Sequence, residues 1–293
     1  MLTRFPGFKG HEGCGEIVQI DDQVKDAGFG VVDRVATIAV PGCGSENCAE
    51  CSRDLAQLCE QAHHSGIGQD GFYAPYAALD LRAIVHVPEG IPSSVAAVAT
   101  DAVKTSYHAI VRRAEVKSNE TVFLFGLGVL GFNALRIVLH IEARVIVSDI
   151  RQERFEEAAR WGIPRQDLVP AGKSVRDFVR ENGLQGRIDT TLDFVGTHQT
   201  FQDAQNIVRR GKLLCVGTLD EENTVDMKIG IQKRLGIIFT YGGQWGDLKE
   251  VLELISKGII QPQVETAGLR EFPNILKSVC DGKVKARIAL LHE

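Results

Sequence analysis

Four cysteines fall within seventeen residues, in the pattern Cys43-x4-Cys48-x2-Cys51-x7-Cys59. Thiolates at such spacing on one short loop suit a closed tetrahedral zinc site, which supplies folding energy to a loop with no core of its own. The other cysteines, Cys14, Cys215 and Cys280, stand singly in apolar or small-residue surroundings and read as small buried hydrophobes. The total of seven is odd and clustered, so it is no disulfide framework.

A second constellation is Gly126-Leu127-Gly128-Val129-Leu130-Gly131, of the form G-x-G-x-x-G. It follows the apolar run Thr121-Val122-Phe123-Leu124-Phe125 and opens a helical stretch. Gly126 permits a tight turn, Gly128 lets the backbone approach a pyrophosphate, and Gly131 permits close helix–strand packing. The helix N-terminus then favours the phosphate charge. Downstream, Arg144-Val145-Ile146-Val147-Ser148-Asp149 ends on a carboxylate that can accept hydrogen bonds from the adenosine ribose and repel a 2′-phosphate. That points to NAD rather than NADP, although Arg151 and Arg154 stand near the same place. A third pair, His11-Glu12, stands at the start of a strand, where by itself it would be structural. His63 and His64 follow the cysteine loop and read either as solvated loop residues or as proton carriers.

These residues must be held by elements, and the pattern changes along the chain. Up to about residue 95, short strand-like runs alternate with Gly and Asp: 15–20, 34–38, 72–77 and 83–88. A helical stretch of Ala, Val and Ile runs over 94–111. Strands and helices then alternate. Strands are expected at 121–125, 144–148, 168–169, 190–194, 213–216 and 236–240. Helices are expected at 129–140, 152–161, 174–181 and 199–208. Such alternation implies βαβ units and a doubly wound parallel sheet. Leu248, Val251, Leu252, Ile255 and Ile259 recur at helical spacing. The last run, 286–291, is strand-like and would serve the first, β-rich domain. The chain therefore divides into 1–104 with 243–293, and 105–242.

At 293 residues and 44% hydrophobic, the chain can bury the cores of about two domains. Lys and Arg total 33 against 38 Asp and Glu, a net charge of -5, which excludes the electrostatic footprint of a nucleic-acid or anionic-membrane binder. No run reaches the roughly 18 apolar residues of a membrane span, and no signal pattern opens the chain. The cytosol is the expected compartment.

Taken together, the residues resemble the zinc-dependent medium-chain alcohol dehydrogenase family over essentially the whole chain. Gly10-His11-Glu12-Gly13-Cys14-Gly15-Glu16-Ile17-Val18 resembles its G-H-E-x-x-G-x-V signature. The cysteine loop resembles its structural zinc lobe. The run 68–76 resembles the strand leading to its active site, and Asp193-Phe194-Val195-Gly196 with the Gly217 turn resembles its later cofactor-contacting strand ends. The resemblance implies a Rossmann domain inserted in a GroES-like β-rich catalytic domain, with NAD and zinc as cofactors. It also implies an alcohol or carbonyl compound as substrate and a homo-oligomer, with Gly236-Ile237-Ile238-Phe239 as candidate pairing strand.

The resemblance further implies residue roles. His11 and Asp101 would ligate a catalytic zinc, with Glu12 a further ligand or the partner of one. Thr105 would touch the nicotinamide, Leu130 would pack behind its ring, and Arg154 would approach the ribose. Two departures stand out. The cysteine loop has two extra residues between Cys43 and Cys48. In the family, a segment carrying the first catalytic zinc ligand, a Cys, precedes G-H-E, whereas here that motif follows closely on Met1-Leu2-Thr3-Arg4-Phe5-Pro6. A GroES-like domain without its opening strands implies uncovered apolar faces, reduced stability and weak or lost activity. Besides an active oxidoreductase, the chain therefore reads as an impaired NAD(H)- and zinc-binding paralogue or fragment, or as a lyase or isomerase that uses its nicotinamide without net turnover.

Overall fold

A computed structural model describes residues 9–281, 283–284 and 286–292. The opening Met1–Pro6 lies outside the described residues. The chain forms two compact units: Met1–Lys104 with Gly242–Glu293, and Thr105–Tyr241.

The first unit carries a three-stranded antiparallel sheet. Cys14–Glu16 pairs with Arg34–Thr37, which pairs with Ile84–His86. The first strand is shorter than its alternation predicts. Beyond Glu16 only Ile17 still exchanges backbone bonds, with Asp33 and Val32, before the chain turns at Asp21. The run 72–77 forms no strand. Phe72 and Tyr73 donate their amides to Gly10 and Lys9 at 2.9 and 2.8 Å, and Pro75 has no N–H with which to extend the ladder. The final strand, Arg287–Leu291, pairs in parallel with Val264–Gly268 as a separate ribbon. Between them runs the helix Phe272–Cys280, which the sequence pattern did not suggest. Helix Trp245–Ser256 buries Leu248, Val251 and Leu252, the face its spacing predicts.

Helix Ser93–Val98 passes into a wide π turn over Ala99–Val103 before α-helical winding resumes at Lys104. Asp101 lies within that turn. Such an extra residue in a helix re-aims its side chains and often marks a functional site.

The second unit is a six-stranded parallel sheet. Its spatial order is Gly236–Phe239, Val208–Cys215, Ile188–Asp193, Thr121–Phe125, Arg144–Ser148 and Leu168–Val169. This is the doubly wound order, with the strand before the glycine loop beside the point where the winding reverses. Phe123, Phe125, Ile146, Leu213 and Phe201 form its buried core. Gly236–Phe239 is an edge strand, and Phe239 on it is 69% exposed.

Candidate functional site

The cysteine loop winds through two short 3-10 turns, Cys51–Arg53 and Ala56–Leu58. They bring all four sulfurs within 4.8 Å of one another. Cys43 Sγ lies 3.8 Å from Cys51 Sγ, and Cys48 Sγ 3.8 Å from Cys59 Sγ. A tetrahedron with Zn–S bonds of about 2.3 Å has edges of about 3.8 Å, so the donors fit zinc in number, chemistry and spacing. The two extra residues after Cys43 are taken up in a turn in which Cys48 donates its amide to Ser45 O at 3.1 Å. Gly42 is required here: its φ is +75°, and a Cβ on it would fall 2.7 Å from Cys51 Sγ. Burial pushes the Cys59 thiol up, but the amides of Cys43 and Gln61 and the neighbouring thiols bring it down to about 7, whereas Cys43, despite the Ser45 amide, is pushed up to about 11 by burial and the neighbouring thiols, so the cluster sheds its first proton from Cys59. Arg82, held by Asp80 at 2.8 and 2.9 Å, sits against Gly44. Its charge opposes the double negative charge of a tetrathiolate zinc.

In the second unit the glycine loop has the geometry its sequence requires. Gly126 has φ +88°. A Cβ on Gly131 would stand 2.0 Å from Gly126 O, whereas one on Gly128 would meet nothing within 4 Å. The loop is thus closed on its packing side and open where a pyrophosphate would lie, at the N-terminus of helix Val129–His140. Asp149 accepts from the Leu127 amide at 2.6 Å and from the Arg151 amide at 2.8 Å, and pairs with the Arg151 guanidinium at 3.0 Å. Burial raises this carboxyl, but the bonds from Arg151 and Leu127 hold it below its usual range. Ile150 beside it is 90% exposed.

Arg154 is buried, paired with Glu157 at 3.3 Å and lying over Phe132. Leu130 is tied by its carbonyl to Ser106 Oγ at 2.9 Å, next to the buried Thr105. Asp193 accepts from Val195 N, Gly196 N and Thr200 Oγ1, each at 2.9 Å, and so folds the turn in which Gly196 packs on Gly217.

In the first unit, His11 Nε2 meets Asp101 Oδ2 at 3.3 Å, although the residues are 90 apart in sequence. The Asp101 bond raises the imidazole above its ordinary value despite partial burial. Glu12 turns the other way. Its carboxylate takes Arg287 Nε at 3.0 Å, Arg287 Nη2 at 3.1 Å and the Ala102 amide at 3.2 Å. Burial raises the Glu12 carboxyl, and Arg287 opposes that shift. Arg287 also reaches Asp101 at 3.6 Å. Lys104, one turn beyond Asp101, is buried, which lowers its amine. Among the described residues, the four cysteines are the one group of three or more such donors that closes to within 4.8 Å. His11, Glu12 and Asp101 thus come together as a His–Asp pair, with Glu12 braced behind it.

Sequence reasoning did not find Arg287. Its signal is a lone arginine opening the apolar run Ile288-Ala289-Leu290-Leu291, and nothing local points it at Glu12. Arg82 was missed for the same reason.

Residues 1–89 match the family described as alcohol dehydrogenase GroES-like domain, and residues 129–257 that described as zinc-binding dehydrogenase. An L-threonine 3-dehydrogenase of Shewanella frigidimarina is 28% identical over 239 residues, 81% of this chain and 68% of that protein. An alcohol dehydrogenase of Geobacillus stearothermophilus is 26% identical over 294 residues, 98% of this chain and 83% of that one. Among solved structures, acetophenone reductase from Geotrichum candidum, in complex with NAD, superposes with a TM-score of 0.87 at 28% identity, covering 97% of this chain and 81% of its own. The alcohol dehydrogenase from Aeropyrum pernix gives 0.87 at 25% identity, covering 98% and 83%.

Proposed function

Because the chain belongs to the zinc-dependent medium-chain alcohol dehydrogenase family, we propose that His11, Asp101 and Glu12 form the centre of an NAD-dependent alcohol oxidation. The chain is an alcohol dehydrogenase-like oxidoreductase. The assignment of its working residues rests on one observation above all: His11 and Asp101 meet at 3.3 Å with Glu12 locked behind them. NAD-dependent turnover of small alcohols, and its loss on replacing His11, tests the reading.

When bound, zinc supplies a Lewis acid for the alcohol oxygen, and NAD supplies the hydride acceptor. The protein's own residues do the rest. Asp101, aimed by the π turn, and His11 offer one carboxylate oxygen and one imidazole nitrogen. Arg287 holds Glu12 and, through the Ala102 amide that Glu12 accepts, fixes the turn that carries Asp101. Arg287 is a positioning residue.

In the nucleotide unit, the amides opening helix Val129–His140, beside the open face of Gly128, would hold the pyrophosphate, and Asp149 would accept the ribose hydroxyls. Arg151, now paired with Asp149 at 3.0 Å, would then share that carboxylate. Ile150, exposed beside it, would offer an apolar face to the adenine. Asparagine at 149 should raise KM for NAD about 10–100-fold, the worth of hydrogen bonds to a charged group, and leave kcat nearly unchanged. It should also narrow the preference for NAD over NADP. Steady-state kinetics with both cofactors checks this.

The substrate is a small alcohol or the corresponding carbonyl compound. No helix among the described residues is long and apolar enough to cross a membrane. All seven cysteines are free, which suits the reducing cytosol. Two copies pair through the edge strand Gly236–Phe239, where Phe239 is 69% exposed, with Met227 at 69% and Ile231 at 72% on the adjoining helix. Phe239→Asp should shift sedimentation from oligomer to monomer at micromolar concentration. An unchanged sedimentation coefficient would place the interface elsewhere.

A second reading, an NAD- and zinc-binding chain with little turnover, draws on one feature. Glu12 spends both carboxylate oxygens on Arg287 and Ala102, leaving His11 and Asp101 as the facing pair of donors.

A further inference from the structure

We infer that Arg151 opens the nucleotide site to a 2′-phosphate, so that the chain takes NADP(H) as well as NAD(H). The inference rests on the reading of the glycine loop and Asp149 as the place of the dinucleotide.

A carboxylate at the end of the second strand of a nucleotide-binding sheet selects NAD in two ways. It accepts hydrogen bonds from the ribose, and its charge repels a 2′-phosphate. Asp149 keeps little of either capacity. Its two oxygens offer about four acceptor positions. Oδ1 takes the Arg151 amide at 2.8 Å and Arg151 Nε at 3.0 Å. Oδ2 takes the Leu127 amide at 2.6 Å and Arg151 Nη2 at 3.2 Å. All these positions are filled from within the chain, and the Asp149 side chain is only 4% exposed. A ribose hydroxyl therefore shares an oxygen that already has two donors.

The charge is answered by the same residue. Arg151 grips the carboxylate with two guanidinium nitrogens, the fork geometry of strong ion pairs. The pair carries no net charge, so it repels a 2′-phosphate weakly. It is also lopsided: the carboxylate is buried, whereas the Arg151 side chain is 39% exposed. Nη2 reaches Leu127 O as well, at 3.4 Å, and among the described residues Nη1 donates to nothing. What meets solvent at the end of this strand is thus the cation, and a planar guanidinium with an open N–H edge suits a phosphate.

The neighbouring charges leave this role to Arg151. Arg154 is buried and engaged with Glu157 at 3.3 Å. Glu153, exposed in the first turn of the next helix, acts on Arg151 but forms no ion pair with it among the described residues.

Dissociation constants of NADH and NADPH, read from nicotinamide fluorescence on binding to the purified full chain, test this without any turnover. Wild type should hold the two within about 10-fold of each other. Arg151→Ala should weaken NADPH about 10–100-fold, the worth of a hydrogen bond between charged groups, and leave NADH unchanged or tighter. Arg151→Lys keeps the charge and should hold NADPH within about 10-fold of wild type. Added salt should weaken NADPH more than NADH in wild type, and both equally in Arg151→Ala. Should Arg151→Ala bind neither, Arg151→Gln carries the same expectation. A wild type that prefers NADH by more than about 10-fold overturns the inference, as does a ratio that loss of the Arg151 charge moves by less than about 10-fold. A wild type that binds neither dinucleotide overturns it together with the reading of the glycine loop. If both bind with this dependence on Arg151 but no alcohol is oxidised, the inference stands and the functional reading fails.

Discussion

Serine in place of Cys48 should empty the cysteine loop of zinc and open the stretch from Gly42 to Ala62 to proteases. The loop has two single-turn 3-10 helices and few buried side chains, Cys59 and Gln57 among them. Its four sulfurs lie within 4.8 Å of one another, two pairs at 3.8 Å, as the corners of a tetrahedron around one zinc would. Structural zinc binds such thiolates with about 10–16 kcal/mol in small domains, and that binding energy is folding energy. Losing even about 3–5 kcal/mol of it lowers Tm by about 10 °C in a chain of this size. Metal analysis, thermal melts and limited proteolysis of Cys48→Ser read the three consequences together. A chelated protein that melts like the holoprotein and resists cleavage in this stretch would mean that the loop stands without metal.

Methionine in place of Arg287 should be the most damaging single change away from the cysteine loop. It leaves the Glu12 carboxylate, only 17% exposed, without its partner. Breaking a buried pair costs about 3–5 kcal/mol, and since Arg287 itself is one-third exposed we expect about 2–3 kcal/mol. The cost depends on pH with a definite sign. Burial already raises the Glu12 carboxyl, so the folded state keeps that proton to higher pH than the unfolded chain does. The group's contribution to stability is therefore greatest below the ordinary value of 4.5 and is lost as pH rises through the raised folded value. Without Arg287 the folded value rises further, so the deficit of Arg287→Met should be larger at pH 8 than at pH 5. Adding Glu12→Gln should recover most of it. Urea unfolding at the two pH values measures both effects. An equal deficit at both would mean that the pair is not electrostatic in its action.

The features most legible in the sequence are those whose chemistry is written at short spacing. The glycine loop needs its three glycines within six residues: Gly126 turns at φ +88°, Gly131 packs against Gly126 O, and a Cβ on Gly128 would meet nothing within 4 Å. The cysteines lie on one loop, and the two extra residues after Cys43 are taken up in a turn that leaves its sulfur within 4.8 Å of the other three. The parallel sheet follows from alternating apolar strands and helices, with strand ends shifted by a few residues where a cap or bulge intervenes, as at Val208–Cys215. Other features were set by partners far along the chain. Arg287 and Glu12 are 275 residues apart. Asp101 is aimed by a π turn that no periodicity announces. The run 72–77 alternates like a strand yet meets only Lys9 and Gly10 before a proline ends the pairing.

The most direct test of the account is the rate of NADH formation by the zinc-loaded full chain over a panel of small primary and secondary alcohols, beside His11→Ala. We expect alcohol-dependent NADH formation in wild type. In His11→Ala we expect a loss of at least about 100-fold, with NAD affinity and the zinc of the cysteine loop retained. Undiminished turnover in His11→Ala, or no NADH from any alcohol in a wild type that binds NAD and two zinc, would contradict it.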